Sequence, residues 1–496
     1  MKIEPTKNQF LRFALSGALI FSALFLVVPA QDLPDPSPNI ENIPSGSLVI
    51  PMDAKQVTTF GGNSRFNLKA YGLVQRLLQN NIPMKWAIKA GKSKDDIDFS
   101  QTAARVYPTA IATAPQDFSG GPFIIQPGYE AMALGVIDDF RTEVEDAYPA
   151  DATDPANDDD DAAADVQVFR LTAAANVDIR YTLTHKPKPA YGAANGGFGG
   201  AVHAELFESA LITDYSVVDD NTVNAGTCIT IATQPHSTSP DAFVDNYRVF
   251  VESGGNLLLQ CLSVTTFENS PVFGFFQTTT GWLGLGEGNA NGGGIDDIPT
   301  YPNGDMAFSQ FLGTLNNNQI GTVEDWRLSN GSAFANGTYP VTQNLGANAN
   351  SYSATSSKVG NAGQPGGVTF ALGGHNYFRD DDNNVDLDVD RINGQRMILN
   401  ALFVPVTRPS VCNTAVVSIN GYKAVRVTTD TAPVGPRNPG DTVTWTIDYI
   451  NVGPIIVNNF QITDVLPASM TLVAVPTVSD DGTGTSAAVN AGYTGT

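Results

Sequence analysis

The chain has only three cysteines and four histidines, so thiol or imidazole chemistry depends on where those few residues fall. Cys261 directly follows the apolar run Asn256 to Gln260, His236 follows Ile229 to Thr233, and His375 follows Val368 to Leu372 in Leu372-Gly373-Gly374-His375. Each of these runs reads as a buried strand, and in an open parallel sheet reactive groups collect at the carboxyl ends of the strands. A thiol at a strand-to-helix turn with an imidazole on a neighbouring strand forms a nucleophilic pair in which the base lowers the thiol's effective pKa. Glu268, one or two helical turns beyond Cys261, is placed to orient such a histidine. The competing reading of Cys261 is a buried cysteine packed as a small hydrophobe.

Two other clusters invite chemistry. Asp380, Asp382, Asp386, Asp388 and Asp390 form a hard-oxygen group suited to calcium. It is no EF-hand, because Arg391 stands where the loop needs glycine, and a solvated acidic loop capping the following helix is the alternative. The loop Asn195-Gly196-Gly197-Phe198-Gly199-Gly200 suggests a dinucleotide turn with Asp219-Asp220 downstream, but Val202 occupies the position of the third glycine. A tight turn with close backbone approach is the simpler expectation.

The elements that would carry these residues are strands at Ser47 to Ile50, Met84 to Ile88, Pro122 to Gln126, Pro189 to Ala194 and Tyr215 to Val218, besides the three above. Helices are expected where Phe66, Ala70, Leu73, Val74, Leu77 and Leu78 recur, over Tyr129 to Val144, and at about His203 to Ile212, Asp241 to Ser253 and Ile392 to Leu402. Asn63 or Ser64 is the expected N-cap of the first. Alternation of strand and helix predicts a doubly wound α/β domain with a parallel sheet over residues 46 to 404, opening on a β-α-β unit. The aspartate-rich stretch 151 to 165 reads as an acidic insertion, and 270 to 365 as a β-containing or irregular excursion. Residues 31 to 45 form a Pro-rich spacer, 405 to 411 a linker, and from 412 onward the pattern is all β; Thr442 to Tyr449 alternates strictly, as a half-buried strand does.

The late motifs are Gly440-Asp441-Thr442-Val443-Thr444-Trp445-Thr446-Ile447, Asn451-Val452-Gly453 and Ile462-Thr463-Asp464-Val465-Leu466-Pro467. They resemble the bacterial surface repeat known as domain of unknown function eleven. That resemblance implies an immunoglobulin-like sandwich serving as a spacer or adhesive module on a large surface or secreted protein, with no catalytic role. Residues 46 to 404 look like a divergent class I glutamine amidotransferase-like domain, which implies Cys261 as nucleophile. Here Leu259 and Ser263 replace the two glycines of that family's elbow, and Asn376-Tyr377, not glutamate, follows His375.

Lys2, Lys7 and Arg12 precede the apolar run Phe13 to Val28, which ends in Val28-Pro29-Ala30, so residues 1 to 30 read as a signal peptide. The run of 16 residues is short of the ~20 that a spanning helix needs. Removing it leaves 24 basic against 49 acidic residues, a balance that argues against nucleic acid as partner. The expectation is an exported bacterial cell-surface or secreted modular protein with a structural, adhesive or recognition role, a non-catalytic α/β domain, and a surface polymer or protein as partner. The alternatives are a cysteine-dependent hydrolase or amidase using Cys261 with His375 or His236, and a calcium-stabilised adhesin. With three cysteines at most one disulfide forms within the chain, and spacing points to Cys412 as a member of it before a Cys228–Cys261 bridge.

Overall fold

The computed structural model describes residues 34, 36–60, 63–143, 163–193, 199–237, 242–285, 298–315, 323–345, 350–359, 366–374, 377, 389–406, 419–429, 442–451 and 471. The chain divides into two compact units, the second beginning at Ile419.

Among the described residues the first unit holds more strand than helix, arranged about two large sheets. Eight strands form the first, in the order Ile40–Ile43, Ala175–Leu183, Met84–Ala87, Phe123–Ile125, Leu48–Ile50, Val168–Leu171, Ile97–Tyr107, Ile111–Ser119. Every neighbouring pair is antiparallel.

This sheet has to curl. Three strands separate Val168–Leu171 from Ala175–Leu183 in the sheet order, a flat spacing of about 19 Å at ~4.8 Å per strand. The chain joins Leu171 to Ala175 in four steps, which reach at most about 14 Å. Period-two side chains then line two faces. Val49, Ala87, Ile124, Phe169, Leu171, Val177 and Ile179 pack inside the curl, whereas Leu48, Ile50, Trp86, Phe123, Ile125 and Val168 face the main core. The helices Lys69–Gln79 and Glu130–Phe140 cover that outer face through Leu73, Val74, Leu77, Ala133 and Ile137.

The expected doubly wound parallel-sheet architecture is therefore incorrect. Leu48–Ile50 and Met84–Ala87, read as a β-α-β pair, do not touch; Phe123–Ile125 lies between them and pairs antiparallel with both. The long hairpin Ile97–Tyr107 with Ile111–Ser119 gave no apolar alternation, since most of its residues are polar or small and two of its isoleucines, Ile97 and Ile111, face outward. Asn63 and Ser64 belong to a strand, Asn63–Phe66, and the first helix starts after Leu68 with no side-chain cap.

The second sheet has seven strands, in the order Ser216–Val218, Pro189–Gly192, Ile231–Gln234, Asn256–Gln260, Val368–Leu372, Ala354–Lys358, Tyr339–Pro340. The first five run parallel and the last two are antiparallel additions. One face carries Ile231, Leu258, Phe370 and Leu372 against the helices Gly199–Ser209 and Val389–Phe403, within the core shared with the curled sheet. The other carries Ala232, Leu257, Leu259 and Ala371 against Val244–Glu252 and Leu262–Glu268. The described residues of 270 to 365 contribute six short strands.

In the second unit the described residues form one antiparallel hairpin, Ile419–Thr429 with Thr442–Asn451, which includes the alternating strand read from sequence. Residues 1 to 30, read as a signal peptide, and 151 to 162 of the acidic stretch lie outside the described residues.

Candidate thiol site at the strand ends

Cys261 ends the fourth strand of the parallel block and is the N-cap of the helix Leu262–Glu268. Its backbone stands at φ 49°, ψ −126°, a region that side-chain-bearing residues rarely occupy. The corner forms although Leu259 and Ser263 replace glycines. Just past the end of the neighbouring strand, Gly373 lies so close to the Glu324 carbonyl that an added Cβ would sit 1.6 Å from it. The Cys261 amide donates to the Leu372 carbonyl at 2.9 Å, which fixes the corner against that strand. Cys261 is fully buried.

The parallel register pairs Gln234 with Leu259, each two residues before a candidate, His236 and Cys261. Ser237, next to His236, donates its amide to the Ser263 hydroxyl, and Thr266 donates its hydroxyl to the Ser237 carbonyl at 2.8 Å. The segment carrying His236 is thus bonded to the helix that begins at Cys261. Burial lowers the His236 pKa and so favours the neutral imidazole, the form a general base needs.

Among the described residues Glu268 has no histidine partner. It is buried, and its carboxylate accepts the amides of Gln277 and Thr278 and the Thr278 hydroxyl, at 2.6 to 3.1 Å, pinning the loop after the helix. Burial pushes its pKa up to about 7, against the lowering effect of those donors.

His375 lies outside the described residues, as do Cys412 and the proposed calcium ligands Asp380, Asp382, Asp386 and Asp388. Asp390 falls in the first turn of Val389–Phe403. Among the described residues no group of three or more His, Cys, Asp or Glu is arranged to hold a metal, and no helix is long and apolar enough to cross a membrane. Neither Cys228, which is exposed, nor Cys261 is in a disulfide. Of the glycine-rich loop, 194 to 198 lie outside the described residues; Asp220 downstream accepts hydrogen bonds from Gln234 and Tyr247.

Sequence reading missed a buried bridge beneath the corner. His203 Nε2 lies 2.6 Å from Gln260 Oε1, and Nδ1 lies 2.7 Å from Thr233 Oγ1. Because Oε1 only accepts, Nε2 carries the hydrogen and Nδ1 accepts from the threonine hydroxyl. Burial lowers the His203 pKa to about 4, so the bridge is neutral. The available signal was that two apolar strands both end in polar residues, Thr233-Gln234 and Gln260.

Comparison with protein-family models and with curated proteins finds no match.

Proposed function

We propose that the chain is an exported, surface-type protein whose first unit performs thiol-dependent acyl chemistry, cleaving an amide or ester through a thioester at Cys261. The observation that supports this reading is the Cys261 backbone. Such a conformation costs on the order of 1–3 kcal/mol for a residue with a side chain, whereas glycine adopts it freely. A cysteine kept there against its own backbone preference is best explained by its sulfur. A sharp strand-to-helix corner is also the geometry that holds a nucleophile out from a sheet edge.

In this scheme His236 takes the thiol proton as sulfur bonds the substrate carbonyl carbon, and the amine or alcohol leaves with that proton. Water, deprotonated by the same imidazole, then releases the acid and restores the thiol. Export rests on the N-terminal sequence pattern, and the second unit serves as spacer or adhesive module.

Because Cys261 is buried, access is what the test must read. The full chain with Cys228→Ser and Cys412→Ser is treated with iodoacetamide between pH 5 and 9. The expected result is alkylation of the folded protein that persists well below pH 8, and slows when His236 is replaced by glutamine. No alkylation until the protein unfolds would overturn the proposal and leave a structural cysteine in a scaffold.

A further inference from the structure

The curled sheet leaves a cleft along its seam, away from the parallel strand ends. One lip is Ile40 with Asn176 and Asp178, from the edge strand and its neighbour; the other is Ile97 to Gln101 of the long hairpin, with Lys89 and Ala90 at one end. Its volume is about 580 Å³, within the ~300–1,000 Å³ range of small-molecule sites. Two exposed large hydrophobics line it, Ile40 at 60% and Ile97 at 42% exposure, together with the buried Phe99.

The polar groups of the cleft are unequal. Both carboxylates are committed: Asp98 accepts the Lys89 and Gly121 amides and pairs with buried Lys92, and Asp178 accepts the Asn39 and Ala90 amides. The Ser100 hydroxyl donates to Asp117, and the Gln101 amide donates to the Ala174 carbonyl. The Lys89 ammonium is exposed and makes no ion pair among the described residues. What the cleft offers is an apolar wall and an uncommitted cation.

We propose that this seam binds a small amphiphilic monocarboxylate, its hydrocarbon body against Ile40, Ile97 and Phe99 and its acid group at the Lys89 ammonium. An anion is specified because, among the described residues lining the cleft, Lys89 is the one charged side chain that no hydrogen bond or ion pair engages, whereas Asp98 and Asp178 already accept backbone amides. An apolar body is specified because the lips expose two isoleucines. This site is independent of the thiol chemistry.

The test is calorimetric titration of the full chain with octanoate, and with 1-octanol as the neutral control of equal chain length. Octanoate is expected to bind, octanol to bind more weakly, and Lys89→Glu to weaken octanoate at least tenfold while leaving octanol unchanged. Lys89 is exposed, so an unchanged melting temperature will show that the variant is folded. Ile97→Asp, also at an exposed position, is expected to weaken both ligands. No heat with millimolar octanoate, or an affinity that Lys89→Glu leaves intact, would overturn the proposal.

Discussion

The two sheets of the first unit bury polar groups in different ways. In the curled antiparallel sheet the buried charges are structural. Lys92 and Asp98 pair at 2.7 Å with both side chains fully buried, and the remaining capacity of Asp98, like that of Asp178, goes to backbone amides. In the seven-stranded sheet, polar side chains gather where parallel strands end together: Thr233, Gln234, Gln260 and Cys261, with His203 below them. Antiparallel strands send alternate ends to opposite rims and scatter such residues, whereas parallel strands place them on one rim. The lesson is that chemistry should be sought at the rim of the second sheet and fold stability in the interior of the first.

The largest expected effect tests the first half of that contrast. Lys92→Met leaves the Asp98 carboxylate buried without its cation, a change that costs about 3–5 kcal/mol in comparable buried pairs. Burial already raises the Asp98 pKa, with Lys92 opposing it, so the variant carboxyl takes up a proton more readily still. The folded state then binds a proton that the unfolded state has lost, and the variant's deficit grows as pH rises. Denaturant unfolding at pH 5 and pH 7 is expected to show the smaller loss at pH 5. A pH-independent loss would mean that Lys92 acts through packing alone.

The second sheet carries its own titration. Glu268 has its pKa raised from 4.5 to about 7, chiefly by burial. The folded state therefore holds this proton longer than the unfolded chain does. Its contribution to stability is full below pH 4.5, declines as pH rises to about 7, and is level above, with a slope of up to about 1.4 kcal/mol per pH unit. Glu268→Gln keeps an oxygen for the Thr278 donors and cannot titrate. Stability differences between pH 5 and pH 7 are expected to change by about 2 kcal/mol in the variant. An unchanged profile would show that the four donated hydrogen bonds, not burial, govern this carboxyl.

These two sheets were also unequally legible. Asn256–Gln260 and Val368–Leu372 could be bounded to the residue because parallel strands buried on both faces read as short continuous apolar runs. The curled sheet hid because its longest strand, Ile97–Tyr107, shows Ser100, Gln101, Thr102 and Arg105 among its residues, and because its pairing is set by distant partners such as Ala103 with Leu171. Local alternation of strand and helix suggested parallel order where the strand Phe123–Ile125 intervenes. At the candidate site, Cys261 and His236 were readable from their positions after strands, whereas the tether through Ser237, Ser263 and Thr266 depends on side chains that carry no periodic signal. The described partners of Glu268, the Gln277 and Thr278 amides and the Thr278 hydroxyl, carry no periodic signal either.

The smallest effect discriminates most sharply, because its sign is unusual. In an ordinary strand end, glycine is less stable than alanine by about 0.5–1 kcal/mol, since it loses more backbone freedom on folding. At φ 49°, ψ −126° the order should reverse: alanine keeps the Cβ that strains the corner, and glycine removes it. Cys261→Gly is therefore expected to be more stable than Cys261→Ala by about 1 kcal/mol, although both lose the buried sulfur equally. Paired denaturant curves measure that difference directly. If alanine equals or exceeds glycine, the corner carries no strain, the rim of the second sheet is no different from the end of any other strand, and the argument for a sulfur-specific role at Cys261 fails with it.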